Sequence, residues 1–184
     1  MKRQSSIAGM MRYLVVTLLL MGTFAPLLQA QAAEKKTTKK TKLKGLLVAG
    51  GCCHDYERQV QIITEGLSQR ASISWDVVYE GKGRDTKVSI YKNPDWSKGY
   101  DVVVHNECYG AIDDIDFVKT IVNGHKETGV PAIVIHCSMH SYRAAQTDEW
   151  RKLLGVPSRR HEKGGRKLKV TRVEDKNPIM TGFP

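Results

Sequence analysis

Apolar residues fall along this chain in two alternating rhythms. Gly45–Gly50 (GLLVAG) is a continuous apolar run closed by Gly51, the pattern of a strand buried on both faces. From Glu57 to Arg70, the residues Val60, Ile63 and Leu67 recur on one helical face. Ser72–Tyr79 (SISWDVVY) predicts a second strand, interrupted by Asp76. After a loop rich in glycine and charge, Lys87–Tyr91 predicts a weak extended stretch, and Asn93-Pro94-Asp95 a turn. Tyr100–Asn106 (YDVVVHN) predicts a third firm strand. Asp113 and Asp114 then stand where a helix N-cap is wanted. Phe117, Val118, Ile121 and Val122 supply the helix stripe, and Gly124 marks its expected end. Val130–Ile135 (VPAIVI) predicts another buried strand. Thr147–Leu154 predicts a helix with Trp150, Leu153 and Leu154 inward and Gly155 as its stop. Beyond it, Lys167–Val173 alternates as an edge strand would.

Strands that alternate with helices predict an α/β architecture, a parallel sheet covered on both faces. Ligands of such sheets bind at the carboxyl ends of the strands. Three predicted strands deliver polar residues to that edge: Cys53, His54 and Asp55 after the first, His105, Asn106, Glu107 and Cys108 after the third, His136, Cys137 and His140 after the fourth. Four of the six histidines and three of the four cysteines lie in these segments, and the fourth cysteine, Cys52, immediately precedes the first of them. The expectation is one pocket in which His54, Glu107 and His136 converge.

The N-terminus changes the picture of where this domain works. Met1–Arg12 carries three basic residues and no acid, Tyr13–Leu28 is mostly apolar, and Ala30-Gln31-Ala32 is an A-x-A cleavage pattern. Residues 1–32 therefore predict a secretory signal peptide, and an exported protein, periplasmic or secreted. A retained anchor needs about 20 apolar residues, and Pro26 breaks the run before that. Residues 33–44 (AEKKTTKKTKLK) predict a basic, disordered linker.

The net charge of +10 over 184 residues invites a nucleic-acid partner. Its location argues against one. Most of the excess lies before residue 45 and after residue 158, and residues 45–158 are net acidic. A nucleic-acid-binding body would carry a basic face of its own. No nucleic-acid partner and no membrane span after cleavage are expected.

The stretches GLLVAGGCCHDY, SWDVVYEG, NPDWSKGYDVVVHNEC, PAIVIHCSMHSYR, DEWRKLLGVPSRRHE and NPIMTGFP resemble, in order, the ThuA-like (trehalose-utilisation) family. The resemblance spans residues 45–184 and implies a flavodoxin-like three-layer sandwich of the class I glutamine amidotransferase-like superfamily. It also implies a small-molecule carbohydrate as ligand, with processing of keto-sugars or glycosides as the chemistry. Family members usually continue beyond the segment resembling NPIMTGFP. The Cys52-Cys53 pair stands where a more polar loop is common.

Within that superfamily a nucleophilic Cys sits on a sharp strand-to-helix turn, and Cys137 is the obvious candidate for a hydrolase. In those relatives the nucleophile stands five residues after the strand's opening proline. The same count from Pro131 reaches His136, which favours the imidazole over the thiol. Acid–base work by His136 and His54 with Glu107 is the leading mechanism. Asp55, His105, Asn106, His140 and Arg143 are expected to hydrogen-bond the sugar, and Trp96 to stack on it. His54, His136 and His140 are also candidate ligands of a divalent metal such as zinc, joined by Glu107 or Asp55. The spacing lacks the intervening glutamate of H-E-x-x-H. A non-catalytic sugar-binding or assembly module on the same fold stays open beside the enzyme.

Disulfides are permitted in an exported chain. Adjacent Cys52 and Cys53 are not expected to pair with each other, Cys53–Cys108 is sterically open, and buried free thiols are equally compatible with the sequence.

Overall fold

The apolar runs pair into one sheet of four parallel strands, in the order β2-β1-β3-β4. β1 spans Leu43–Gly51, β2 Ile73–Tyr79, β3 Val102–Cys108 and β4 Ala132–Val134. The computed structural model describes residues 42–182, apart from Arg172, Glu174 and Asp175. The expected signal peptide and residues 33–41 of the expected linker lie outside them. The linker's last two residues, Leu43 and Lys44, already belong to β1. The Leu43 amide donates to Ser72 O, and the Lys44 amide donates to the Asp101 carboxylate at 2.7 Å.

β1 lies between β2 and β3, which explains its unbroken apolar run. Leu46, Leu47, Val48 and Ala49 are fully buried because both faces of a central parallel strand are covered. Each large side chain so buried contributes about 1.5–3 kcal/mol. Leu46, Val48 and Val103 point to one face, where they meet Val118, Ile121 and Val122 of α2 (Ile115–Thr128) and Trp150 of α3 (Glu149–Leu154). On the opposite face, Val104 lies beside Ile62, Ile63 and Leu67 of α1 (Tyr56–Ser68). The result is an α/β sandwich of the flavodoxin-like kind. No helix among the described residues is long and apolar enough to cross a membrane.

Four expectations about elements are corrected. Val130–Ile135 is not a buried strand: pairing is confined to Ala132–Val134 at the edge of the sheet, and Ile133 stands exposed. Gly124 does not end α2, which runs on to Thr128 and stops at Gly129 with φ +70°. Gly124 is instead the place where the Trp96 indole packs directly against the helix backbone. Lys87–Tyr91 is not extended, because Ser89–Lys92 closes as a 3₁₀ turn that buries Tyr91. The described part of Lys167–Val173 forms no strand. It pairs with no neighbour, and Leu168, Val170 and Val173 stand exposed.

Candidate functional site

The chain reaches the carboxyl edge of the sheet through three segments, each fixed by a local device. After β1, the Asp55 carboxylate caps α1 by accepting the Arg58 amide at 3.0 Å. The Tyr56 hydroxyl donates to Cys52 O at 3.1 Å, which pins the loop between them. Within this loop the structure joins Cys52 to Cys53, the neighbour pair not expected from sequence, and the alternative Cys53–Cys108 pairing is not formed. Backbone strain accompanies the bridge, since Cys53 holds φ at +88°. Cys108 and Cys137 are free thiols.

After β4 the chain turns into the 3₁₀ segment His136–His140. Strand pairing ends here, and serine hydroxyls take over its role. Ser138 Oγ accepts the Glu107 amide at 2.8 Å. Ser141 Oγ accepts the Tyr109 amide at 3.1 Å and donates to Glu107 O at 2.8 Å. The Trp150 indole donates to Ser138 O at 3.0 Å. Short hydroxyl side chains thus tie the histidine-bearing turn to the end of β3.

This arrangement brings His54, His136 and Cys137 together, the two imidazoles exposed and the thiol half-buried beside them. One ligand atom from each of the three lies within 4.8 Å of the other two. His54 Nε2 and Cys137 Sγ are 3.2 Å apart. His136 continues the cluster to His140, with ring centroids 5.9 Å apart, and to His161 at 6.4 Å. His140 and His161 are 5.6 Å apart. The His161 Nδ1 hydrogen points to Glu162 O at 2.8 Å, which leaves Nε2 as the nitrogen with a lone pair. His140 is buried, and that burial, together with His136, His161 and Arg143 nearby, lowers its pKa below the usual imidazole value. A neutral imidazole is the form that binds a metal or takes up a proton.

Glu107 is corrected: it is withdrawn into the core with His105, and neither side chain has any exposed surface. Alternation along β3 turns both toward α2. There Glu107 Oε1 lies 2.8 Å from His105 Nδ1 and accepts the Tyr91 and Tyr142 hydroxyls, each at 3.2 Å. His105 Nε2 meets His125 Nε2 at 2.9 Å, and His125 Nδ1 meets Val130 O at 2.8 Å. A carbonyl only accepts, so His125 carries its hydrogen on Nδ1 and presents a lone pair to His105. His105 must then donate from Nε2, and one proton is shared between His105 and Glu107. Burial, with His105 beside it, lowers the His125 pKa to about 4, so this ring is neutral near pH 7. Glu107 Oε2 has no hydrogen-bond partner.

Two further corrections follow from burial. Trp96, expected as a sugar platform, is 2% exposed, and its indole donates to Thr120 O at 3.3 Å. Asn106 faces α1, is buried, and donates to the Gln59 side chain at 3.1 Å. Asp55 remains exposed beside His54, and Arg143 is half-buried close enough to act electrostatically on His140 and Cys108. Burial, with Cys137 beside it, raises the Cys108 thiol to about 11.

A cleft of about 370 Å³ opens beside His54, lined by Cys52, Cys53, Asp55, Glu57, Tyr79 and Lys82. Tyr79 is partly exposed there and offers the aromatic surface that Trp96 does not. Two residues of this site carry no sequence signal: Tyr79 ends a strand with no motif around it, and His161 sits in a basic stretch with no periodicity to place it. Cys137, ranked below His136 by the count from Pro131, joins the cluster through its contact with His54. Compared with known proteins, the chain has no significant match to a family model, a curated protein or a solved structure.

Proposed function

We propose that this protein is an exported, ThuA-like enzyme of carbohydrate metabolism that uses a divalent metal held by His54, His136 and Cys137 to process a keto-sugar or glycoside. The observation that carries this is the convergence of two imidazoles and a thiol within 4.8 Å. Two nitrogens and one sulfur suit zinc, and three protein ligands leave a fourth position open, as catalytic zinc requires. The metal would supply Lewis-acid polarisation of a sugar carbonyl or activation of a bound water. No carboxylate joins the cluster, because Glu107 lies in the core, and this moves the balance from simple acid–base catalysis toward metal assistance.

The chain's own residues supply the remaining parts. His161, exposed and with its lone pair on Nε2, takes a proton from a sugar hydroxyl or from the carbon next to a ketone, and buried His140 packs behind it. Tyr79 gives a stacking face to a sugar ring, Asp55 a hydrogen-bond acceptor and Arg143 a donor.

One other observation favours a second reading. The 3.2 Å approach of His54 Nε2 to Cys137 Sγ is also that of a base to a nucleophile. Turnover of a panel of keto-sugars and disaccharides separates the possibilities. Activity lost to a chelator and restored by zinc supports the metal enzyme, with His136→Ala reducing it by about 10²–10⁴-fold. Activity that survives chelation but falls to iodoacetamide at Cys137 supports the thiol hydrolase. Binding of sugars without turnover under any condition leaves a non-catalytic module.

A further inference from the structure

Cys108 and Cys137 are not isolated thiols. The β3–β4 register pairs His105 with Val134, and the Ile135 amide still donates to His105 O at 2.9 Å. Beyond β4 the Glu107 amide donates to Ser138 Oγ at 2.8 Å, which sets Cys108 beside the turn that carries Cys137. The two thiols act on one another electrostatically, and the Tyr56 hydroxyl acts on both. Their exposures differ. Cys108 is buried at 3%, whereas Cys137 is half-exposed and contacts His54. An accessible sulfur beside an imidazole, with a second sulfur buried behind it, is the layout of a thiol that reacts first and a thiol that resolves the product.

We propose that Cys137 and Cys108 form a dithiol site that a hydroperoxide oxidises to a disulfide. The Cys137 sulfur attacks the terminal oxygen of the hydroperoxide, and the O–O bond breaks. Cys137 becomes a sulfenic acid, and the hydroperoxide is reduced by two electrons to an alcohol, or to water from hydrogen peroxide. The Cys137 proton passes through His54 Nε2 to the departing oxygen. The Cys108 sulfur then attacks Cys137 Sγ, the S–O bond breaks, and the leaving hydroxide takes the Cys108 proton as water. Two thiols and one hydroperoxide thus give one disulfide, one alcohol and one water. The product removes Cys137 Sγ from His54, so oxidation dismantles the edge cluster and reduction rebuilds it.

The test uses the full chain, stripped of metal by chelation and treated with one equivalent of hydrogen peroxide without denaturant. Remaining thiols are alkylated and the linkages mapped by peptide mass spectrometry. The expected result is loss of both free thiols to a Cys108–Cys137 linkage, reversed by dithiothreitol. In Cys108→Ser protein the resolving sulfur is gone, so dimedone traps a sulfenic acid at Cys137 that wild-type protein does not accumulate. Persistence of both thiols in the wild type overturns the inference, as does linkage of either one to Cys52 or Cys53. Mapping of the wild type decides the matter even if the variant fails to fold. Metal content is measured separately: protein that binds no metal yet forms this linkage sustains the dithiol and removes the metal centre proposed above.

Discussion

Ser141 shows how much of the site depends on a single hydroxyl. It replaces a strand partner for both the Tyr109 amide and the Glu107 carbonyl, all fully or nearly fully buried. Ser141→Ala leaves those backbone groups unpaired, at a cost of about 1–3 kcal/mol for each such group. Urea denaturation of the variant should show a loss of that order, and a stability within error of wild type would refute the anchoring role. Gly124 is a second case where magnitude decides the sign. Alanine in a helix interior is favoured over glycine by about 1 kcal/mol. Here, however, its Cβ would run into the Trp96 indole, and overpacking of this kind costs about 1–3 kcal/mol. Gly124→Ala should therefore lower the thermal midpoint, and a raised midpoint would show that the indole moves aside freely.

At the scale of elements, β1, β3 and β4 were legible from short apolar runs bounded by glycine, proline or polar residues, and β2 from β-branched and aromatic residues on either side of Asp76. The helix caps at Asp114 and the stop at Gly155 were legible for the same local reason: a side chain or a backbone conformation specifies them without help from the rest of the fold. Gly124 was misleading because glycine has two uses, and the one realised depends on Trp96, which is distant in sequence. The same limit governed the site. Position after a strand placed His54 and His136 at the sheet edge, yet the parity of β3 decided that His105 and Glu107 face inward and Cys108 faces the cluster. That parity turns on a one-residue choice of register, which the unbroken Val102–Val104 run that opens β3 does not encode. Lys167–Val173 alternates as an edge strand should, but a strand exists only with a partner, and its described residues have none.

For the whole molecule, the buried chain of Glu107, His105 and His125 ties stability to pH. The unfolded chain binds a proton at His125 near pH 6.5, whereas in the folded protein that proton binds only at about 4. The folded state binds the proton more weakly, so acid favours unfolding. The contribution, roughly 3 kcal/mol at most, is fully present above about pH 6.5 and is lost as the pH falls toward 4. Denaturation midpoints measured across that range should fall steadily with acid. In His125→Gln protein the slope should be shallower, and an unchanged slope would remove His125 as its source.

The central claim is that His54, His136 and Cys137 form one metal centre at the carboxyl edge of the sheet. Its most direct test is the optical spectrum of the reduced protein titrated with cobalt(II), which substitutes for zinc and reports its ligands. One tightly bound cobalt per chain and an intense sulfur-to-cobalt charge-transfer band are expected. That band should vanish in Cys137→Ser protein, and both His54→Ala and His136→Ala should weaken binding. A spectrum without the charge-transfer band, or one that survives Cys137→Ser unchanged, would contradict it.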